Sequence, residues 1–104
     1  MSMQRVAGGI RVGNLFFYTG YPSEATGEWT VDRQIRAILE ELKHDLKQVG
    51  SSLENVVKAT VYLVNLDDHE RYLNLIWDEY FPKEPRPARY VIQVCLAPPA
   101  IVKM

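Results

Sequence analysis

The chain carries one cysteine, Cys95, so it can form no intramolecular disulfide and no multi-cysteine zinc site. It also lacks a dominant charge: 12 basic residues against 13 acidic ones leave no broad positive field to hold a phosphate backbone, which argues against nucleic acid as a main partner. No segment approaches the roughly 20 apolar residues that a membrane helix needs, and "MSMQRVAGG" at the amino terminus lacks the apolar stretch of a signal peptide. A cytoplasmic protein with no membrane partner is expected. Nucleotide fingerprints are missing too, because "GGIRVG" has the wrong glycine spacing and leads into a strand rather than a helix.

Neither a metal nor a cofactor is expected. Glu40, Glu41 and His44 have the helical spacing of part of a metal site, but no third ligand accompanies them. Asp67, Asp68, His69 and Glu70 are contiguous and fan apart on a helix, so they read as a solvated helix start. Cys95, with no base beside it, reads as a buried packing thiol.

What is present is enough apolar residue, 47% of 104, for one core, so residues 1–104 read as one domain. "IRVGNLFFYTG" reads as strands 9–12 and 15–20 turning at Gly13-Asn14. From Val31 to Val49, the positions Ile35, Ile38, Leu39, Leu42, Leu46 and Val49 recur at intervals of three and four, a helix with one apolar stripe. Thr30 is suited to cap its start and Gly50 to end it. A strand over about residues 55–64 follows, then a helix over about 68–81 that Pro82 closes. Extended segments over about 88–96 and 100–104 complete the order ββαβαβ, with a possible final strand.

This order implies a mixed sheet with both helices on one face. The central strand is nonetheless apolar on both sides, with Val57, Ala59, Val61 and Leu63 pointing one way and Val56, Tyr62 and Val64 the other. Two helices cover one face only, so the second needs another subunit and a homo-oligomer is expected.

Chemistry concentrates in "RPARYVIQV", residues 86–94. Pro85 and Pro87 enforce extended geometry before the strand, and in extended chain Arg86 and Arg89 face opposite sides. Arg89, at the start of an apolar strand, must find an anion or stay hydrated. Two roles remain open on these grounds: a structural salt bridge at a subunit seam, or a fork that grips the carboxylate of a small molecule.

Over nearly its whole length the chain resembles the RidA/YjgF family of reactive-intermediate deaminases. The resemblance rests on "VGNLFFYTG", "GSSLENVVKATVYLVNLDDHERYLNLIWDEYF" and "RPARYVIQV". It implies an α+β, chorismate-mutase-like fold and a homotrimer with ligand clefts between subunits. It further implies that Arg89 binds the carboxylate of a 2-imino or 2-enamino acid, which water converts to a 2-keto acid and ammonia. Gly20 would line the cleft, and Asn74 matches an asparagine common on the second helix. Tyr90 and Val91 replace small residues that commonly follow the arginine and so would reshape the pocket. Two members of the family's site are missing. Val6 stands at the position of the cleft tyrosine, and the position of the glutamate that orients water falls on Met104 or Lys103. If Lys103 enters the cleft, a second cation favours ligands with two acidic groups. The alternative is a non-catalytic trimer that binds a small carboxylic acid or acts as a scaffold.

Overall fold

The computed structural model describes residues 2–104. Its strands are β1 (Met3–Val6), β2 (Gly9–Val12), β3 (Leu15–Tyr18), β4 (Lys58–Leu63), β5 (Ala88–Gln93) and β6 (Val102–Lys103), with helices α1 (Val31–Gln48) and α2 (Asn74–Tyr80). A short 3-10 turn, Leu53–Asn55, leads into β4, and a π turn, His69–Leu73, leads into α2.

The hairpin β2–β3 turns at Gly13-Asn14 as expected, with Val12 opposite Leu15 and Gly13 at φ +60°. Strand β1 was not anticipated. Its link to β2 is Ala7-Gly8, where Ala7 takes φ +49°, a conformation that L-residues adopt at a cost of roughly 1–2 kcal/mol. An alanine there carries no turn signal, so "MQRVAGG" hides the hairpin. The carboxy-terminal strands are shorter than expected, ending at Gln93 and Lys103.

Helix α1 buries Ile35, Ile38, Leu39 and Leu46 from the anticipated stripe. Thr30 occupies the cap position without a side-chain hydrogen bond. At the other end Gly50 takes φ +76°, its N–H donates to Lys47 O, and Ser51 N–H donates to Leu46 O, which also accepts from Val49 N–H, so both carbonyls are paired. Gln34 is the one fully buried polar side chain among the described residues. Its amide donates to Pro99 O at 2.9 Å and accepts from Ile101 N–H at 2.8 Å, which pins the segment before β6 to α1.

The expected mixed sheet is built in two parts. Strands β1-β2-β3 form an antiparallel sheet; in the second, β4 is central, parallel to β5 and antiparallel to β6. The parts meet where Gly20 N–H donates to Met104 O at 2.6 Å and Met104 N–H donates to Gly20 O at 3.0 Å. Both helices lie on one face, where Val61, Leu63 and Val102 pack with Ile35, Leu39, Leu73, Ile76 and Trp77. On the other face Leu15 and Phe17 are more than half exposed, as is Tyr90. The outward positions of β4 itself are Lys58, Thr60 and Tyr62, and Val56 and Val57 before it take the reverse of their expected sides, Val56 packing on the core and Val57 exposed.

Cys95 is exposed, contrary to the expected buried thiol. It lies beyond the end of β5, which stops at Gln93.

A Cβ on Gly20 would overlap Cγ2 of Ile38, a β-branched side chain held in the core. Gly20→Ala is expected to cost about 1–3 kcal/mol through overpacking at the junction of the two sheet parts. Urea unfolding checks this, and an unchanged midpoint contradicts it.

Candidate functional site

Arg89 is the second residue of β5 and pairs in register with Ala59 of β4. Residues 59, 61 and 63 point towards the helices, so Arg89 points there as well. Its Nη2 donates to Oδ1 of Asn74 at 2.7 Å and meets Nε2 of His69 at 3.2 Å. The guanidinium carbon stands 5.1 Å from the centroid of the Trp77 ring, within reach of a cation–π attraction.

Facing a cation assigns the neighbours' polar atoms. Asn74 must present its oxygen rather than its NH2 group, and His69 must present a lone pair at Nε2, with its proton on Nδ1.

The π turn brings His69 and Asn74 together. Five residues along an α-helix advance roughly 140° beyond one full turn, which would separate them. Here the N–H of Asn74 bonds to the carbonyl of His69, an i to i+5 closure that stacks the two. The contiguous charges around His69 instead suggest a solvated helix start. The regular stripe of the second helix begins only at Leu73, so the sequence carries no phase for the preceding turn.

Arg89 has no carboxylate within salt-bridge distance among the described residues. Asp78, one turn beyond Asn74, is bound by Arg86, which also lies 3.7 Å from Glu84. Arg86 thus reaches the same helix as Arg89, not the opposite side of the sheet. It lies before β5 begins, where the strand alternation does not apply. Burial lowers the pKa of Arg89 from its ordinary value; Asp78 opposes this and Arg86 adds to it. The site is a half-buried cation held by neutral groups.

The remaining sequence candidates lie elsewhere within the subunit. Gly20 is buried at the sheet junction beside Ile38. Lys103 pairs with Tyr62 and lies on the face away from the helices, so it and Arg89 occupy opposite sides of the sheet. Tyr90 is 66% exposed on that same outer face, whereas Val91 packs against the core beside Val61. Gly20, Lys103 and Met104 line a trough with Thr60, Tyr62 and Trp77. Trp77 also stands beside Arg89. Val6 lies at the end of β1, and Met104 is engaged through its backbone.

An α+β architecture with a mixed sheet and both helices on one face defines the class of protein. A member of the YjgF protein family from Neisseria meningitidis shares this fold at a TM-score of 0.84 and 22% identity, over 99% of this chain and 90% of that one. The family described as "Endoribonuclease L-PSP" matches residues 2–103. A RutC family protein of Pyrococcus abyssi is 38% identical over 94 residues, which cover 86% of this chain and 72% of that one. A 3-aminoacrylate deaminase RutC of Acinetobacter baylyi is 42% identical over 66 residues, covering 64% of this chain and 51% of its own length. The chain belongs to the RidA/YjgF family. No helix among the described residues is long and apolar enough to cross a membrane.

The two roles open to Arg89 predict opposite effects on stability. Removing one partner of a buried structural ion pair costs about 3–5 kcal/mol. A cation held ready for a ligand burdens the ligand-free fold, so Arg89→Met is expected to leave stability within about 1 kcal/mol of wild type or to raise it. Chemical denaturation of the ligand-free protein decides between them, and a loss of several kcal/mol would identify a structural pair.

Proposed function

We propose that this chain binds small carboxylic acids through Arg89, and that bound 2-imino or 2-enamino acids are hydrolysed there to 2-oxo acids and ammonia. The observation that carries this reading is the guanidinium itself: half-buried, aimed by Asn74, and without a carboxylate partner among the described residues. The activity in the name of the Acinetobacter baylyi relative, a 3-aminoacrylate deaminase, supports it. The exposed Leu15, Phe17 and Tyr90 support assembly as a homotrimer in which neighbouring copies cover the outer face. RNA is not the substrate of this reading, because a formal net charge of −1 supplies no field for a phosphate backbone.

The chemistry asks little of the protein. A protonated imine is already electrophilic, and a cation on the adjacent carboxylate removes the negative field that would oppose attack by water. Water adds to the C=N carbon, a proton passes to nitrogen, and the C–N bond breaks to leave the 2-oxo acid and ammonium. A positioned acid or base contributes typically about 10²- to 10⁴-fold, and neither Val6 nor Met104 supplies one. The side chains around Arg89, namely Asn74, His69 and Trp77, include no carboxylate either. That composition favours a second reading, in which the site binds its acid without turnover.

Generating 2-iminopropanoate in situ with an amino-acid oxidase and following its decay separates the readings. Acceleration by wild type that Arg89→Ala abolishes supports the deaminase. No acceleration, together with pyruvate binding that Arg89→Ala abolishes, selects the binding protein. Full activity in Arg89→Ala removes Arg89 from the site.

A further inference from the structure

A guanidinium offers a carboxylate two forks, Nε–H with one Nη2–H, and the other Nη2–H with one Nη1–H. Both forks use Nη2. In this structure Nη2 has two acceptors for its two hydrogens, Asn74 Oδ1 at 2.7 Å and His69 Nε2 at 3.2 Å. Neither fork is free while both neighbours are in place, so a carboxylate can grip Arg89 with two bonds only by displacing one of them.

The longer contact is the one to give way. Asn74 opens α2 and lies within the helical bonding pattern, while His69 begins the π turn on a segment of lower packing, with exposed Leu66, Asp67 and Glu70 around it. We propose that His69 is a latch on Arg89: it holds the guanidinium through its Nε2 lone pair, and an incoming carboxylate displaces it from Nη2. This inference rests on the reading of Arg89 as the carboxylate anchor.

The latch makes binding depend on pH with a defined sign. Neutral His69 accepts from Nη2, whereas protonated His69 has no lone pair to offer and repels the guanidinium. With an anion on Arg89, both disadvantages of the protonated imidazole are relieved. Carboxylate binding therefore favours the protonated imidazole and takes up a proton, and affinity rises as pH falls.

Other charged groups surround the pair. Asp78 of α2 is bound to Arg86 of the loop before β5, and the turn itself bears Asp68, Glu70 and Arg71. Helix α1 also packs against this turn; of its charged residues, Arg36 is tied to Glu79 and Glu40 accepts from the hydroxyl of Tyr80, while Asp32 and Arg33 lie in its first turn. Of these, Asp68 has its pKa raised by burial, which Arg71 opposes and Asp67 reinforces; a pH dependence that survives His69→Phe would belong to such a neighbour and not to the imidazole.

The test is calorimetric titration of the full chain with sodium pyruvate between roughly pH 8 and pH 6, where an imidazole exchanges its proton. Wild type is expected to bind several-fold more tightly at the lower pH, with proton uptake seen as a dependence of the heat on buffer ionisation. His69→Phe, which cannot accept from Nη2, is expected to lose the pH dependence and to bind about two- to tenfold more tightly than wild type at the higher pH, the effect of removing one competing hydrogen bond. His69→Gln keeps an acceptor that does not titrate, and is expected to bind weakly at every pH. A flat wild-type profile, or His69→Phe binding more weakly than wild type, overturns the latch while leaving Arg89 as the anchor. Wild type that fails to bind pyruvate, or Arg89→Ala that binds it as well as wild type, overturns the anchor and the latch with it.

Discussion

Two hydrogen bonds between Gly20 and Met104 are the hinge on which the rest of the structure depends. They join an antiparallel hairpin sheet to the mixed sheet of β4, β5 and β6. The junction forms because two other contacts deliver its halves. Gln34 carries the last segment of the chain to α1 through its buried amide, and Gly20 lets the backbone approach Ile38 where no side chain fits. A buried amide with both its donor and its acceptor satisfied is an economical clamp, since leaving either backbone partner unpaired costs about 1–3 kcal/mol. Once β6 is held, Val102 completes the core against α1 and β4, and α2 has a floor to lie on.

That floor sets the chemistry. Strand β5 runs parallel to β4, and its alternation sends Arg89 towards α2 and Tyr90 towards the outer face. The guanidinium meets an amide, an imidazole and an indole ring, while the nearby Asp78 is occupied by Arg86. Partial burial without an anion costs stability, and it is a common condition of sites built for a charged ligand. The sheets leave Leu15, Phe17 and Tyr90 exposed on the outer face, so the Arg89 site and the surface that invites a second subunit lie on opposite sides.

Much of this was legible in the sequence. The stripe of α1, the Gly13-Asn14 turn and the helix end at Gly50 all follow from period and composition, and the structure carries each of them. The two-sided reading of residues 56–64 is corrected, because β4 begins only at Lys58, Val56 packs on the core, Val57 is exposed, and the outward positions of the strand are Lys58, Thr60 and Tyr62. The singled-out Arg89 and Asn74 do come together. What escaped depends on backbone geometry that side-chain patterns do not encode. An alanine at positive φ conceals the first hairpin, and an i to i+5 closure turns His69 towards Arg89 although its charged neighbours suggest a solvated helix start. Extrapolating strand alternation through Pro87 misassigned Arg86, because the strand begins one residue later. Spacing along the chain also cannot tell which face of a sheet a residue takes when it arrives from another strand, and so the opposite placement of Lys103 and Arg89 emerged only from the pairing of β6 with β4.

The central claim is that Arg89 is held open for a small carboxylate. A crystal structure of the assembled protein grown with a 2-oxo acid tests it most directly. The account predicts a carboxylate of the ligand within about 3 Å of the Arg89 guanidinium. An acidic side chain from a neighbouring subunit in that position, with no ligand bound, would make Arg89 a structural ion pair at the seam and contradict the account.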